Sequence, residues 1–86
     1  MLISYSRIFK KMFKKQPAWL QDRFEERLLL FTQDIYHPLL NNHSLDGKWR
    51  GCRSINITGD LRAVFEEVTD THIEFVAIGS HSELYS

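Results

Sequence analysis

The sequence predicts an α+β fold: a helical hairpin of two N-terminal helices packed on a small antiparallel sheet of three to four strands. Three observations predict it. Apolar residues recur at helical spacing up to Ile35, the period changes to alternation after Gly51, and a length of 86 residues limits the chain to one core. Residues 1–86 therefore read as a single domain.

The elements follow in order. Leu2 to Tyr5 alternates weakly and reads as an edge strand. Ser6 suits a helix N-cap, and Ile8, Phe9, Met12 and Phe13 then fall on one helical face, leaving Lys10, Lys11, Lys14 and Lys15 for solvent. Gln16-Pro17 breaks that helix, and Pro17 suits the first turn of the next. Leu20, Phe24, Leu28, Phe31 and Ile35 form the strongest helical stripe in the chain, and His37-Pro38 ends it, because a residue before proline is pushed out of helical geometry. Asn41 to Gly47, rich in Asn, His, Ser, Asp and Gly, reads as a loop.

Three alternating runs follow: Ser54 to Ile57, Leu61 to Glu66 and Ile73 to Ile78, the last with Ile73, Phe75 and Ala77 on one side. The turn at Thr58-Gly59-Asp60 sets the register of the first two. A two-residue loop would pair Ile57 with Arg62 and mix polar with apolar on each face; a three-residue loop with Gly59 at positive φ pairs Asn56 with Arg62 and Ile57 with Leu61. The second segregates the faces. Ile55, Ile57, Leu61, Ala63, Phe65 and Phe75 then cover the helices, and Ser54, Asn56, Arg62 and Glu66 form a polar working surface.

Composition narrows the class. No apolar run approaches the roughly 18 residues that cross a bilayer, and no signal-peptide core is present, so the expected compartment is the cytoplasm. The single cysteine, Cys52, forms no internal disulfide and lacks zinc-site spacing. Eleven basic and eleven acidic residues cancel, so global charge does not draw the chain to nucleic acid; distribution matters instead. Arg7, Lys10, Lys11, Lys14 and Lys15 precede any acidic residue, and Lys48, Arg50, Arg53 and Arg62 form a second basic group.

The residues with chemistry to offer lie in the second half. His81 and His43 are proton-transfer candidates because imidazole titrates near neutrality. Asp60 can orient a histidine or act as base, Tyr85 can orient or donate, and Arg62 supplies a cation for the charge that builds on a pentacoordinate phosphorus. Trp49 reads as a core or staple aromatic. Metal-independent cleavage of RNA by internal attack uses such a set.

The pattern resembles the bacterial toxin superfamily of RelE, ParE and YafQ type proteins, specifically its YafQ-like branch. Three stretches carry the likeness: the alternating His43, Leu45, Gly47, Trp49, Gly51 and Arg53; Asp60 followed by Arg62; and Ile78 to Tyr85 with its Gly-Ser-His-Ser core. The resemblance covers essentially the whole chain. It implies the toxin of a type II toxin-antitoxin system, a ribosome-dependent endoribonuclease that cuts messenger RNA without metal or other cofactor. It also implies a cognate small acidic antitoxin, the ribosome and messenger RNA as partners, with DNA reached only through the antitoxin and no membrane. Carried over, His81 is the principal acid or base, His43 and Asp60 are further catalytic positions, Tyr85 positions the message, and Arg62 stabilises the phosphate. Lys48, Arg50, Arg53 and Asn56 are RNA-binding. The chain departs from the branch at Asn56, where a histidine is expected, at Leu61 in place of a tryptophan, and in its neutral charge. A ParE-like inhibitor of DNA gyrase and a catalytically inactive homologue acting through its antitoxin are the alternative readings.

Overall fold

A computed structural model describes residues 1–85. In chain order it contains β1 (Leu2–Tyr5), α1 (Arg7–Lys14), α2 (Ala18–Gln33), β2 (His43–Ser44), β3 (Arg53–Asn56), β4 (Leu61–Thr69), β5 (His72–Ser80) and α3 (His81–Tyr85), with single 3₁₀ turns at Pro38–Leu40 and Gly47–Trp49. The α+β class and the helical hairpin agree with the sequence reading. The sheet differs in extent and sense: it has five strands in the order β1-β5-β4-β3-β2, and β1 runs parallel to β5 while the other pairs are antiparallel. His43 and Ser44 extend it where a loop was expected.

β1 joins the sheet through its two sides. Ile3 and Tyr5 pack against the core, and on the opposite side Ser4 Oγ bonds His72 Nε2 at 2.8 Å and donates to Glu74 Oε1 at 3.1 Å. Ser6 caps α1 as expected: its Oγ accepts from Phe9 N at 3.0 Å and donates to the Val76 carbonyl at 3.1 Å, so one hydroxyl fixes the helix start to β5. Phe9 is buried and Met12 and Phe13 are partly so, but Ile8 is 64% exposed and lies off the buried stripe. The Gln21 side chain closes the hairpin by donating to the carbonyls of Phe13 and Gln16, both at 3.1 Å, the first of which also accepts from Gln16 N at 3.0 Å.

α2 buries Phe24 and Phe31 and ends at Gln33, one turn before His37-Pro38. Asp34 ends it: the residue is extended, and its Oδ1 accepts from Tyr36 N at 3.1 Å, a local bond that competes with the next helical turn. Ile35 therefore packs on the core from outside the helix.

The hairpin register is the predicted one, with Asn56 opposite Arg62 and Ile57 N donating to Leu61 O at 2.9 Å. Gly59 does not take a positive φ; among the described residues only Gly47, Gly51 and Asn41 do. Side chains hold the turn instead. Thr58 Oγ accepts from Leu61 N at 2.9 Å and Asp60 N at 3.3 Å, and Arg62 Nη1 donates to the carbonyls of Thr58 and Gly59, both at 3.0 Å. Thr58→Val keeps the branched shape and removes the acceptor, so it should cost about 1 kcal/mol and lower Tm by roughly 4–8 °C, read by thermal melting.

β5 departs from simple alternation. Val64 pairs with Ala77 and Phe65 with Phe75, which leaves Val76 as the extra residue of a bulge. The bulge exchanges the faces beyond it. Ile78, not Ala77, enters the main core with Phe9, Phe24, Phe31, Ile55, Phe65 and Phe75, while Ala77 joins Val64, Leu45 and Leu84 in a second apolar cluster on the opposite side. The far side of the sheet is thus only partly polar.

Candidate functional site

The ladder puts most of the predicted residues on that far side. Asn56, Arg62 and Gly79 lie in one cross-strand row, and His43, Ser54, Val64 and Ala77 lie in the next row of the same face, two residues along. Strand geometry sets the His43 and Arg62 Cα atoms on the order of 12 Å apart, two strand spacings across and two residues along. α3 lies over the same side, since its Leu84 is buried against Val64 and Ala77. His81, two residues past the partner of Arg62, opens α3, and Tyr85 is its last residue, 41% exposed. Their rings meet with centroids 4.8 Å apart, as i,i+4 spacing on one helix dictates.

His43 is exposed, and its Nδ1 lies 2.7 Å from the Asn41 carbonyl. A carbonyl only accepts, so Nδ1 carries the proton, and in the neutral ring Nε2 holds the free lone pair. Asp60 is exposed in the turn, one step beyond the last ladder pair, Leu61 with Ser80. A continued ladder would face it with His81, where the chain has turned into α3. Arg62 is half-buried and uses Nη1 to hold the turn. Asn56, its cross-strand neighbour, has a buried Oδ1 with no donor among the described residues.

The basic group divides. Lys48 and Arg50 are exposed on the tight loop before β3, with Lys48 Nζ 5.5 Å from the centre of the Trp49 ring. Arg53 shares its side of β3 with Ile55, so although it is grouped with Arg62 along the chain it lies on the other face of the sheet. Its Nε donates to Asn42 Oδ1 at 2.8 Å, and its guanidinium lies 5.8 Å from the centre of the Tyr36 ring.

Burial, and then the nearby Glu66 carboxylate, push the Cys52 thiol up, which disfavours the nucleophilic thiolate. Among the described residues no three His, Cys, Asp or Glu side chains gather where a metal ion could be held, and no helix is long and apolar enough to cross a membrane.

Sequence reading missed the shell around α3. Ser80 Oγ accepts from Glu83 N at 3.2 Å and Glu83 Oε1 accepts from Ser80 N at 2.8 Å, a capping box whose Ser-x-x-Glu spacing was there to be read. Trp49 Nε1 donates to the Leu84 carbonyl at 2.9 Å, a bond across 35 positions that no local pattern announces.

The sequence profile of a family described as bacterial toxin of type II toxin-antitoxin system, YafQ, matches residues 1–86. No curated protein sequence matches the chain. Among solved structures it is similar to YafQ from E. coli strain BL21(DE3), at TM-score 0.79 and 20% identity over 98% of this chain and 97% of that one. It is also similar to the E. coli DinJ-YafQ complex, at TM-score 0.72 and 23% identity over 98% and 97%. A YoeB/ParE toxin from Agrobacterium tumefaciens matches at TM-score 0.75 and 15% identity over 94% and 99%. At these identities the structural likenesses show a shared fold.

Proposed function

This chain belongs to the YafQ family of bacterial type II toxin-antitoxin toxins, and from that premise we propose that it is a ribosome-dependent endoribonuclease that cuts messenger RNA without a metal. The observation that carries the reading is the placement of α3: the adjoining rings of His81 and Tyr85 lie on the same side of the sheet as the row containing Arg62.

The chemistry is internal transesterification. A base removes the 2′-hydroxyl proton, the 2′-oxygen attacks phosphorus, and the 5′-oxygen leaves as an acid protonates it, giving a 2′,3′-cyclic phosphate. His43, with Nδ1–H committed to Asn41, presents Nε2 as an acceptor and suits the base; His81 suits the acid. Asp60 is the carboxylate nearest in sequence to Arg62 that can serve either imidazole. Arg62, held by Nη1 to the turn, has Nη2 and Nε left for the phosphoryl oxygens. Tyr85 offers its exposed ring to a base of the message, and Asn56, Lys48 and Arg50 complete the RNA contacts. Arg53, on the other side of β3, contacts RNA only if the strand passes round the β2 edge.

The same reading gives the chain a small acidic antitoxin, as the DinJ-YafQ complex pairs another toxin with its partner. A groove of about 290 Å³ between α1, α2 and β1 supports it: Tyr5, Phe9, Phe13 and Phe24 line it, and Lys10 and Lys14 stand there against the single carboxylate of Glu25. DNA enters only through that partner, and the ribosome places the action in the cytoplasm.

Induced expression tests the reading. Growth arrest should come with messenger cut inside translated codons, and Arg62→Gln should slow cleavage by purified protein on programmed ribosomes by about 10²-fold, the usual loss when one charge-stabilising donor is removed. Arrest without cleavage, accompanied by a DNA-damage response, would replace the nuclease with a gyrase inhibitor.

A further inference from the structure

We infer that Trp49 is a positioning residue, a latch that holds α3, and with it His81 and Tyr85, in fixed relation to the exposed cations Lys48 and Arg50. What α3 does rests on the nuclease reading; the latch itself rests on geometry.

Five residues do not make a stable helix unaided, because nucleation costs more than one turn of hydrogen bonds returns. α3 must be held from outside. Its N-terminal end has the Ser80 and Glu83 capping box, and its underside has Leu84, 1% exposed and packed on Leu45, Val64 and Ala77. Its C-terminal end leaves carbonyls without helical partners, and the Trp49 indole supplies a donor to one of them, at Leu84. That bond fixes the end of the helix that carries Tyr85.

Trp49 can act as a latch because its own backbone is held. Leu45 N donates to Cys52 O at 3.0 Å, Cys52 N to Trp49 O at 2.9 Å and Trp49 N to Asp46 O at 3.3 Å, closing residues 45–52 into a compact loop. Gly47 at φ +62 and Gly51 at φ +91 give it turns that other residues rarely adopt. The loop displays Lys48 and Arg50 outward, and the Lys48 ammonium lies over the same indole ring whose N–H reaches α3. One side chain thus contacts both the cationic loop and the helix bearing the imidazole. Loss of the bond frees α3 to shift, and a displacement of about 1 Å of a reacting group lowers rates by up to about 10²-fold.

The test is Trp49→Phe in the full chain, which keeps an aromatic body and removes the N–H. On programmed ribosomes kcat should fall about tenfold while KM stays within about twofold, the signature of a group that acts on the reacting geometry and not on binding. In the free protein, NMR cross-peaks between the His81 and Tyr85 rings should weaken. If Trp49→Phe fails to fold, 3-benzothienylalanine at position 49, an indole isostere without the N–H, replaces it and should give the same pattern. Unchanged kcat with intact ring cross-peaks, or KM rising at constant kcat, overturns the latch. If the wild-type protein cuts no message, the nuclease reading has failed, and the ring cross-peaks alone decide whether Trp49 holds α3: their persistence in the variant overturns it.

Discussion

Replacing His81 with alanine should lower messenger cleavage about 10³-fold, within the range that a positioned acid or base contributes. The same change should leave Tm within about 2 °C of wild type, since surface substitutions that remove no capping bond and no core contact cost little. Both halves follow from where the side chain sits. His81 is exposed in the first turn of α3, and among the described residues the Tyr85 ring is its only aromatic contact, so its removal opens no cavity. The capping box on either side of it uses Ser80 and Glu83 and survives the change. On the nuclease reading, the chemical half is demanding because the proposed site is short of proton carriers. Asn56, on the strand before the turn, is an amide and exchanges no proton near neutrality, which leaves His43 and Asp60 to share the task with His81. His81→Gln separates hydrogen bonding from proton transfer and should be nearly as slow as His81→Ala. Cleavage by His81→Ala within threefold of wild type, measured on programmed ribosomes, would move the acid to another residue.

How far the site was legible depends on the length scale of each signal. The hairpin register could be read because its two options distribute Ile57, Leu61 and Arg62 differently between faces, and only one builds a core. The parity that puts Ser54 and Asn56 on the far side of the sheet puts Arg53 on the side of the helices, so the separation of Arg53 from Arg62 was present in the alternation and was obscured by grouping cations along the chain. The bulge at Val76 left no trace because Val76, Ala77 and Ile78 are all apolar, and an inserted residue in a uniform run changes faces without changing the pattern. The parallel pairing of β1 was equally silent: four alternating residues specify a strand but not its partner or direction. Asp34 did signal the end of α2, through the tendency of a short carboxylate to bond its own backbone, but the periodic Ile35 beyond it was the louder signal. The Trp49 bond to Leu84 lies beyond any local rule, since it joins residues that only the folded sheet brings together.

The largest loss of stability is expected from Phe75→Ala, about 4 kcal/mol, in the range found for removing a buried phenylalanine. Phe75 is fully buried and its ring lies 5.5 to 6.0 Å from those of Tyr5, Phe9, Phe24, Phe31 and Phe65, so it joins β1, α1, α2 and β4 through a single side chain. No relaxation of one neighbour can fill the void, because the surrounding rings are held by different elements. A chain of this size has a total stability on the order of 4–13 kcal/mol, so the loss consumes a third or more of it, and Tm should fall by roughly 16–32 °C. Urea titration measures the first figure and thermal melting the second. Phe13→Ala gives the contrast: that ring is only partly buried and, among the described residues, meets the rings of Phe9 and Phe24 alone, so its removal should cost less than half as much. The comparison also guards the functional argument. β5 carries Phe75 into the core and leads directly into α3, so Phe75→Ala will reduce cleavage as well, but through the population of unfolded chain. Its activity should return on cooling or on binding a partner that selects the folded state, whereas that of His81→Ala should not. A Phe75→Ala protein that melts like wild type would mean that the helical hairpin does not depend on this ring to stay on the sheet.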